Sequence, residues 1–236
     1  MNRILLMVLR NITRVPGAWI KLCRYARDPE KYTDKEMYDH VRYILGMAVT
    51  SGNIDLKVYG KENIPKENGY MVYSNHQGMF DTLAMVHVME EPMAVVFKKE
   101  IKNIPFLKQV TTCTNSFAMD RSDVRQSMTV IQAVTKEVKK GKNYIIFPEG
   151  TRSKKGNEML EFHAGSFRPA VKAKCPILPV ALIDFYKVLD QKGCDPVTVQ
   201  LHYLEPIQYE EFKDMNTNEL ALMVHDRIEA VVKANS

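Results

Sequence analysis

The sequence has no long apolar run, only four cysteines and a single tryptophan. No stretch approaches the roughly 18 apolar residues that a membrane-spanning helix needs, so we expect none. The apolar stretch at the amino terminus is not followed by a small-residue cleavage site, which predicts no secretory signal peptide. The cysteines are far apart and show no CxxC spacing, so we expect reduced thiols in an intracellular protein.

Several motifs of common enzyme classes are also missing. The sequence has no GxSxG elbow of the serine hydrolases and no glycine pattern of a Walker or Rossmann loop. Its histidines show no HxH or HxxxH spacing, so a zinc site is not indicated. We therefore predict neither a metal nor a bound cofactor.

Composition is that of an ordinary globular protein, with 45% hydrophobic and 26% charged residues in a chain of 236. This length suits one sizeable domain. The net charge of +5 suits anionic partners such as phosphorylated metabolites or acidic lipid surfaces, and is too small to indicate nucleic acid.

Residues 1–52 predict two helices, which we treat as a separate N-terminal element. Cations of the first helix, spaced by seven, four and seven residues, share one stripe opposite an apolar face. The cations are Arg3, Arg10, Arg14 and Lys21, and the apolar residues are Ile4, Val8, Ile12, Val15, Trp19 and Leu22. The pattern is typical of a helix in a membrane interface, and an ordinary surface helix can also show it. Pro16-Gly17 should kink or break this helix.

A capping box, Thr33-Asp34-Lys35-Glu36, opens the second predicted helix, which should end near Ser51-Gly52. Its predicted apolar face consists of Met37, Val41, Ile44, Leu45 and Ala48.

Residues 53–236 alternate short strands with helices, which predicts an α/β fold with a mostly parallel sheet flanked by helices. The predicted strands are 54–59, 70–74, 93–97, 116–119, 144–147 and 177–183. A helix is predicted over 122–140, and another over the last 20 residues with Asn216 and Glu219 as its capping pair. The buried face of the first of these should be Val124, Met128, Ile131, Val134 and Val138.

The stretch SNHQGMFDT, residues 74–82, follows a predicted strand. On a regular helix His76 and Asp81 would point about 140° apart and could not meet. They can meet if His76 lies on a loop and Asp81 caps the next helix, with one carboxylate oxygen accepting the imidazole N–H. A satisfied surface histidine beside a simple helix cap is the alternative, which this stretch alone favours.

A second stretch, FPEGTRS at 147–153, also follows a predicted buried strand. Gly150 permits a positive φ, and Arg152 offers planar donors that suit a phosphate, although a charged surface turn would look the same. Lys99 and Arg121 follow two further strands. Because parallel strands end at one edge, these cations are expected on the same side of the sheet as His76.

Together these stretches resemble the 1-acyl-sn-glycerol-3-phosphate acyltransferases. NHQGMFD carries the family's His-X4-Asp motif, and FPEGTRS follows about 70 residues later. Ala118-Met119-Asp120-Arg121 and Leu178-Pro179-Val180 match two further blocks, so the resemblance spans about 54–185. Gly78 stands where many members have serine, and Asn115-Ser116-Phe117-Ala118 departs from the family pattern.

The resemblance implies a role for each matching residue. His76 would be the general base and Asp81 its orienting partner. Glu149, Gly150, Thr151 and Arg152 would shape the acceptor site, with Arg152 on the phosphate, assisted by Arg121 and Lys99. Pro179 would mark a strand that lines the acyl pocket, and backbone N–H groups near Gly78 would stabilise the oxyanion.

The resemblance also implies transfer of an acyl chain from acyl-CoA or acyl carrier protein to the sn-2 hydroxyl of lysophosphatidic acid. The enzyme would work peripherally at the cytoplasmic face of a membrane, with its two N-terminal helices as the membrane-binding pair. An acyltransferase for glycerol 3-phosphate or another lysophospholipid is one alternative. A non-catalytic membrane-associated protein of the same fold is another.

Overall fold

Seven strands form one sheet in the computed structural model, which describes residues 2–236. The strands are β1 Ile54–Tyr59, β2 Met71–Ser74, β3 Met93–Lys98, β4 Phe117–Met119, β5 Asn143–Ile146, β6 Ile177–Ile183 and β7 Val197–Tyr203. Their order across the sheet is β1-β7-β6-β2-β5-β3-β4. All neighbouring pairs are parallel except β6 and β7. The predicted strands are therefore confirmed within a residue or two, and β7 is a strand that the prediction missed.

Ten α-helices accompany the sheet over residues 2–236. They are α1 Arg3–Arg10, α2 Val15–Arg27, α3 Asp34–Ser51, α4 Asp81–Val88, α5 Leu107–Cys113, α6 Val124–Val138, α7 Arg168–Ala173, α8 Tyr186–Leu189, α9 Tyr209–Phe212 and α10 Thr217–Asn235. Side chains of α2 to α5 form the core on one face of the sheet, and those of α6, α7 and α10 form it on the other. The predicted α/β fold with a mostly parallel, helix-flanked sheet is confirmed.

Alternation along β2 shows why this sheet is covered on both sides. Tyr70 and Val72 belong to one core, while Met71 and Tyr73 belong to the other, and all four are at most 1% exposed. Successive side chains of a strand point to opposite faces. A strand that is apolar at every position therefore needs helices on both faces, as parallel sheets generally have.

The first predicted helix is in fact two helices. The break lies at residues 11–14, and Pro16 sits in the first turn of α2, where proline is compatible with a helix. The predicted break at Pro16-Gly17 is therefore displaced by a few residues. The capping box at Thr33 and Glu36, the end of α3 near Ser51 and the capping pair of α10 are confirmed.

The cationic stripe of the first helix is also wrong in part. Arg3 is 5% exposed and donates hydrogen bonds to the carbonyls of Val188 at 2.8 Å, Gly52 at 2.6 Å and Asp195 at 2.9 Å. Arg10 binds the carbonyl of Ser51 at 2.9 Å. A guanidinium has five donors in a fixed fork, so it can join several loop carbonyls at once. Both cations attach α1 to the protein, Arg3 as a buried side chain and Arg10 as an exposed one.

The predicted buried face of α6 is rotated. Val124 is 72% exposed and Met128 is 47% exposed, whereas Val130, Val134 and Val138 are buried. Several apolar positions of this helix fit more than one face, and contact with the sheet selects among them. No helix in the described part of the chain is long and apolar enough to cross a membrane, and no disulfide joins its cysteines.

Candidate active site

His76 and Asp81 meet at the carboxyl end of β2. His76 lies on the loop that follows the strand, and Asp81 is the first residue of α4. The imidazole Nδ1 lies 2.8 Å from Asp81 Oδ2. An N–H at Nδ1 that donates to this carboxylate leaves Nε2 without a proton, able to accept one. The predicted arrangement of a loop histidine with an aspartate in the first turn of the next helix is confirmed.

The Asp81 carboxylate also holds the backbone of the loop. It accepts N–H groups from Gln77 at 2.6 Å and from Gly78 at 2.9 Å. Asp81 is not the N-cap of α4, since Phe80 takes that position. The N–H of Gly78 itself is bound to Asp81, while an oxyanion site among the other backbone N–H groups near Gly78 stays a prediction. Asp81 turns its carboxylate back into the loop.

Two polar side chains attach the other side of the loop to the end of β6 and to the segment that follows it. Asn75 exchanges hydrogen bonds with the backbone N–H and carbonyl of Leu182, both at 2.8 Å. Gln77 Oε1 accepts the N–H of Phe185 at 2.8 Å, and its amide donates to Asn157 at 2.7 Å. Both side chains are buried, so their hydrogen bonds replace those lost to water.

The FPEGTRS loop after β5 lies directly beside the histidine. The ring of Phe147 stacks on the imidazole with centroids 4.3 Å apart. Glu149 Oε1 accepts the backbone N–H of His76 at 2.9 Å, and the N–H of Ser153 donates to the His76 carbonyl at 3.0 Å. The two stretches singled out in the sequence therefore form one structure. Gly150 has the predicted positive φ, at 72°.

Glu149 is a buried acid. Its side chain is almost fully enclosed, and the backbone N–H groups of His76 and Leu160 offset only part of the cost of burying its charge. Burial raises the pKa of Glu149 to about 7, and the negative charge of Asp81 adds to the rise. At neutral pH this carboxyl group is therefore balanced between its protonated and ionised forms.

The predicted cations reach this edge of the sheet with different partners. Arg152 forms an ion pair with Asp190, and Lys99 forms one with Asp120. The hydrogen bond from Lys99 is the main reason that the pKa of Asp120 falls to about 2. Arg121 has no hydrogen-bond or ion-pair partner within residues 2–236. A Cβ added to Gly150 would lie 3.6 Å from Arg121 Nη1, which places this guanidinium against the FPEGTRS loop.

An apolar cavity of about 430 Å³ begins next to the histidine loop. The cavity is lined by Met79 and Phe80, at the end of the loop that carries His76, by side chains of α1 to α3 and by residues 104–107. Its size lies within the range of small-ligand sites. Pro179 does not line this cavity. It lies inside β6 at the centre of the sheet, opposite Tyr73, and its place beside an acyl pocket stays a prediction.

The residues of both loops belong to a region that matches a known protein family. The family model described as "Acyltransferase" matches residues 55–183, which include both loops. The chain belongs to the acyltransferase family. The resemblance inferred from the sequence is thus confirmed, with nearly the same boundaries.

Curated relatives and a solved structure agree with this assignment. The chain is 31% identical over 169 residues to the 1-acyl-sn-glycerol-3-phosphate acyltransferase of Salmonella typhimurium, covering 70% of this chain and 69% of the relative. It is 30% identical over 188 residues to the yeast enzyme of the same name, covering 76% of this chain but only 60% of that relative. The crystal structure of the 1-acyl-sn-glycerophosphate (LPA) acyltransferase PlsC from Thermotoga maritima matches with a TM-score of 0.77 at 26% identity, covering 99% of this chain and 97% of that one.

Sequence reasoning missed three groups of this acyltransferase site. Phe147 was assigned to a strand, although its ring supports the imidazole. Asn157 connects the loop that carries His76 to the segment after β6. It accepts a hydrogen bond from Gln77 and donates one to Asp184. Asp190, in a region where no motif was recognised, pairs with Arg152. Only tertiary contacts reveal these roles, because each partner lies between 27 and 80 positions away in the chain.

Glu149 should make stability depend on pH. Its folded-state pKa of about 7 exceeds the ordinary value of 4.5, so the folded protein keeps a proton that the unfolded chain loses. This group therefore lowers the free energy of unfolding as pH rises from about 4.5 to 7, by about 3 kcal/mol at most. In urea unfolding, Glu149→Gln should gain stability relative to wild type between pH 5 and pH 8. The exposed Glu67→Gln is the matched control, and an equal pH response in both variants would contradict this account.

Proposed function

We propose that this acyltransferase moves a fatty acyl chain from an acyl thioester to the sn-2 hydroxyl of lysophosphatidic acid, giving phosphatidic acid. The observation that carries the proposal is the His76–Asp81 pair, with Nδ1 on the carboxylate and Nε2 free to accept a proton. The relatives from Salmonella, yeast and Thermotoga maritima are named as acyltransferases of this substrate, which supports the proposal.

In the proposed reaction, Nε2 of His76 takes the proton of the acceptor hydroxyl as its oxygen attacks the thioester carbonyl carbon. The tetrahedral intermediate then collapses, the carbon–sulfur bond breaks, and the thiolate receives the proton from the imidazolium. Asp81 stabilises the imidazolium and keeps Nδ1 as the donor nitrogen. No acyl-enzyme forms, and either acyl-CoA or acyl carrier protein supplies the thioester.

The acceptor's phosphate has a place beside the FPEGTRS loop. Arg152 and Arg121 bring two guanidinium groups there, and Arg121 forms no ion pair with the described residues, although the charge of Glu100 acts on it from a greater distance. Planar guanidinium donors match phosphate oxygens in pairs. Lys99 lies at the same edge of the sheet, with Asp120 as its counter-charge, and Glu149, Gly150 and Thr151 shape the loop. The apolar cavity beside Met79 and Phe80 receives an acyl chain.

We further propose that α1 and α2 bind the surface of a membrane. Their outward side chains are strongly apolar: Ile4, Leu5, Val8, Leu9, Ile12, Trp19 and Ile20 are between 37% and 68% exposed. Arg14 and Lys21, the two cations of the stripe that do not dock on the protein, remain exposed beside them. An exposed apolar patch of this kind with nearby cations suits an interface containing anionic lipid.

His76→Ala should abolish acyl transfer. A positioned general base contributes about 10²- to 10⁴-fold, so kcat should fall by at least that order while vesicle binding is kept. Phosphatidic acid formation from lysophosphatidic acid and acyl-CoA measures it, with glycerol 3-phosphate and other lysophospholipids as competing acceptors. His202→Ala, a histidine stacked on Tyr59 away from the site, is the matched control. A His76→Ala variant that keeps the wild-type rate would contradict the role of His76 as general base. Preference for another acceptor would contradict lysophosphatidic acid as the substrate.

Arg152→Ala should weaken recognition of the phosphate. A hydrogen bond to a charged group contributes about 1.5–3 kcal/mol, so the KM for lysophosphatidic acid should rise about 10- to 100-fold. The kcat/KM for uncharged 1-acylglycerol should change little. Arg125→Ala, on the exposed start of α6, is the control. An equal loss for both acceptors would exclude Arg152 from the phosphate site.

Ile12→Glu and Ile20→Glu should each weaken membrane binding about tenfold or more, because an exposed apolar side chain then no longer enters the interface. Cosedimentation with vesicles of phosphatidylcholine and phosphatidylglycerol measures this. Leu222→Glu places the same charge at a 62% exposed apolar position on α10 and should have no effect. Equal binding by all three variants would favour α1 and α2 as ordinary surface helices.

A further inference from the structure

Asp190 connects the phosphate arginine to the histidine loop. It follows α8 in the turn after β6, and its Oδ1 is paired with Arg152 Nη1. Its other oxygen, Oδ2, accepts the backbone N–H of Met79 at 3.3 Å. One carboxylate thus contacts two segments that lie 73 positions apart in the sequence. Both segments belong to the site already described.

Gly78 makes this approach possible. A Cβ at this position would lie 2.5 Å from Asp190 Oδ2, closer than real side-chain contacts come. The carbonyl of Phe185 and the Cα of Tyr186 would also be close, at 3.3 and 3.4 Å. The carboxylate therefore fits against the loop because residue 78 has no side chain. The departure from serine noted in the sequence has a local reason in the position of Asp190.

The segment that carries Asp190 is held from both ends. At its start, the N–H of Phe185 donates to Gln77 Oε1 at 2.8 Å. Near its end, the buried Arg3 donates to the carbonyl of Val188 at 2.8 Å. Asp190 is therefore attached to a backbone whose position relative to the histidine loop is defined. A carboxylate fixed in this way can define the position of a longer, more mobile side chain.

Arg152 keeps donors available for a ligand. Within residues 2–236 its only hydrogen bond runs from Nη1, so Nη2 and Nε remain unused. Both partners are about one third exposed, so the pair adds little stability in itself. Its effect is on conformation, because an arginine side chain without a partner samples many rotamers.

We propose that Asp190 is a positioning residue that holds the guanidinium of Arg152 beside the histidine loop, where the remaining donors of Arg152 bind the acceptor's phosphate. The inference rests on the proposed function. It assigns Asp190 to acceptor recognition and not to proton transfer. Loss of the carboxylate frees Arg152, and the phosphate must then bear the cost of ordering it.

Steady-state kinetics with Asp190→Ala and Asp190→Asn test this. The KM for lysophosphatidic acid should rise about threefold to fivefold, the range of an exposed ion pair, with kcat within about twofold. The kcat/KM for 1-acylglycerol should stay at the wild-type value. Asp214→Ala, an exposed aspartate before α10, is the matched control. Asparagine keeps the shape and one acceptor oxygen, so a rise in both variants assigns the effect to the carboxylate.

A double-mutant cycle with Arg152→Ala provides the second test. When Arg152 is absent, Asp190→Ala should not raise the KM further. The proposal would be overturned by additive effects of the two substitutions, or by a KM that is unchanged or lowered in both Asp190 variants. It would also be overturned by a rise in KM confined to Asp190→Ala, or by a loss of kcat alone. Circular dichroism melting confirms that the variants fold.

Calorimetric titration with glycerol 3-phosphate separates this inference from the proposed function. Binding needs no turnover, and it should weaken threefold to fivefold in the Asp190 variants. A wild-type protein that binds glycerol 3-phosphate but makes no phosphatidic acid would contradict the proposed reaction alone. A wild-type protein that makes phosphatidic acid, with unchanged binding and KM in both variants, would contradict the role of Asp190 alone.

Discussion

A single buried carboxylate shapes the candidate active site. Asp81 is fully enclosed and accepts N–H groups from His76, Gln77 and Gly78. An isolated charge at such a depth would be very costly, and the three hydrogen bonds compensate for its lost hydration. Because two of them come from backbone, Asp81 defines the path of the loop as well as the orientation of the imidazole. The orientation of the His76 imidazole therefore depends on this one group.

The topology of the sheet brings the rest of the site to that loop. β5 and β6 flank β2 and run parallel to it, so the segments after all three strands meet at one edge. Glu149 and Phe147 approach from the β5 side, and Asn75 binds Leu182 on the β6 side. This is the crevice beyond the carboxyl ends of strands where α/β proteins place their ligands. The candidate active site of this acyltransferase therefore lies where α/β folds generally bind ligands.

The charged side chains of the site differ in whether they have a partner of opposite charge and in how deeply they are buried. Two cations, Lys99 and Arg152, have acidic partners, while Arg121 has none among the described residues. The buried Glu149 lies deeper, and its raised pKa lessens the negative charge beside His76 at neutral pH. The site therefore presents guanidinium groups at its surface, above an interior of low charge.

The α/β fold and most strands can be inferred from the sequence pattern, since they depend on alternation along strands and on capping residues. The pairing of His76 with Asp81 stayed open on its own stretch, and the resemblance to a known family supplied it. The order and spacing of the motif blocks then placed His76 and Arg152 at the same edge of the sheet. These features are local or follow from the parallel topology, so they can be inferred without coordinates.

The partners of these residues become visible only in the folded protein. Arg3 looked like part of a membrane-facing stripe, yet distant loop carbonyls bury it. Asp190 lies outside every recognised motif and still holds Arg152. The N–H of Gly78 looked available for an oxyanion and is bound to Asp81. The physical reason is common to all three: a polar group satisfies its hydrogen bonds with whatever the fold brings near, and sequence spacing does not record that proximity.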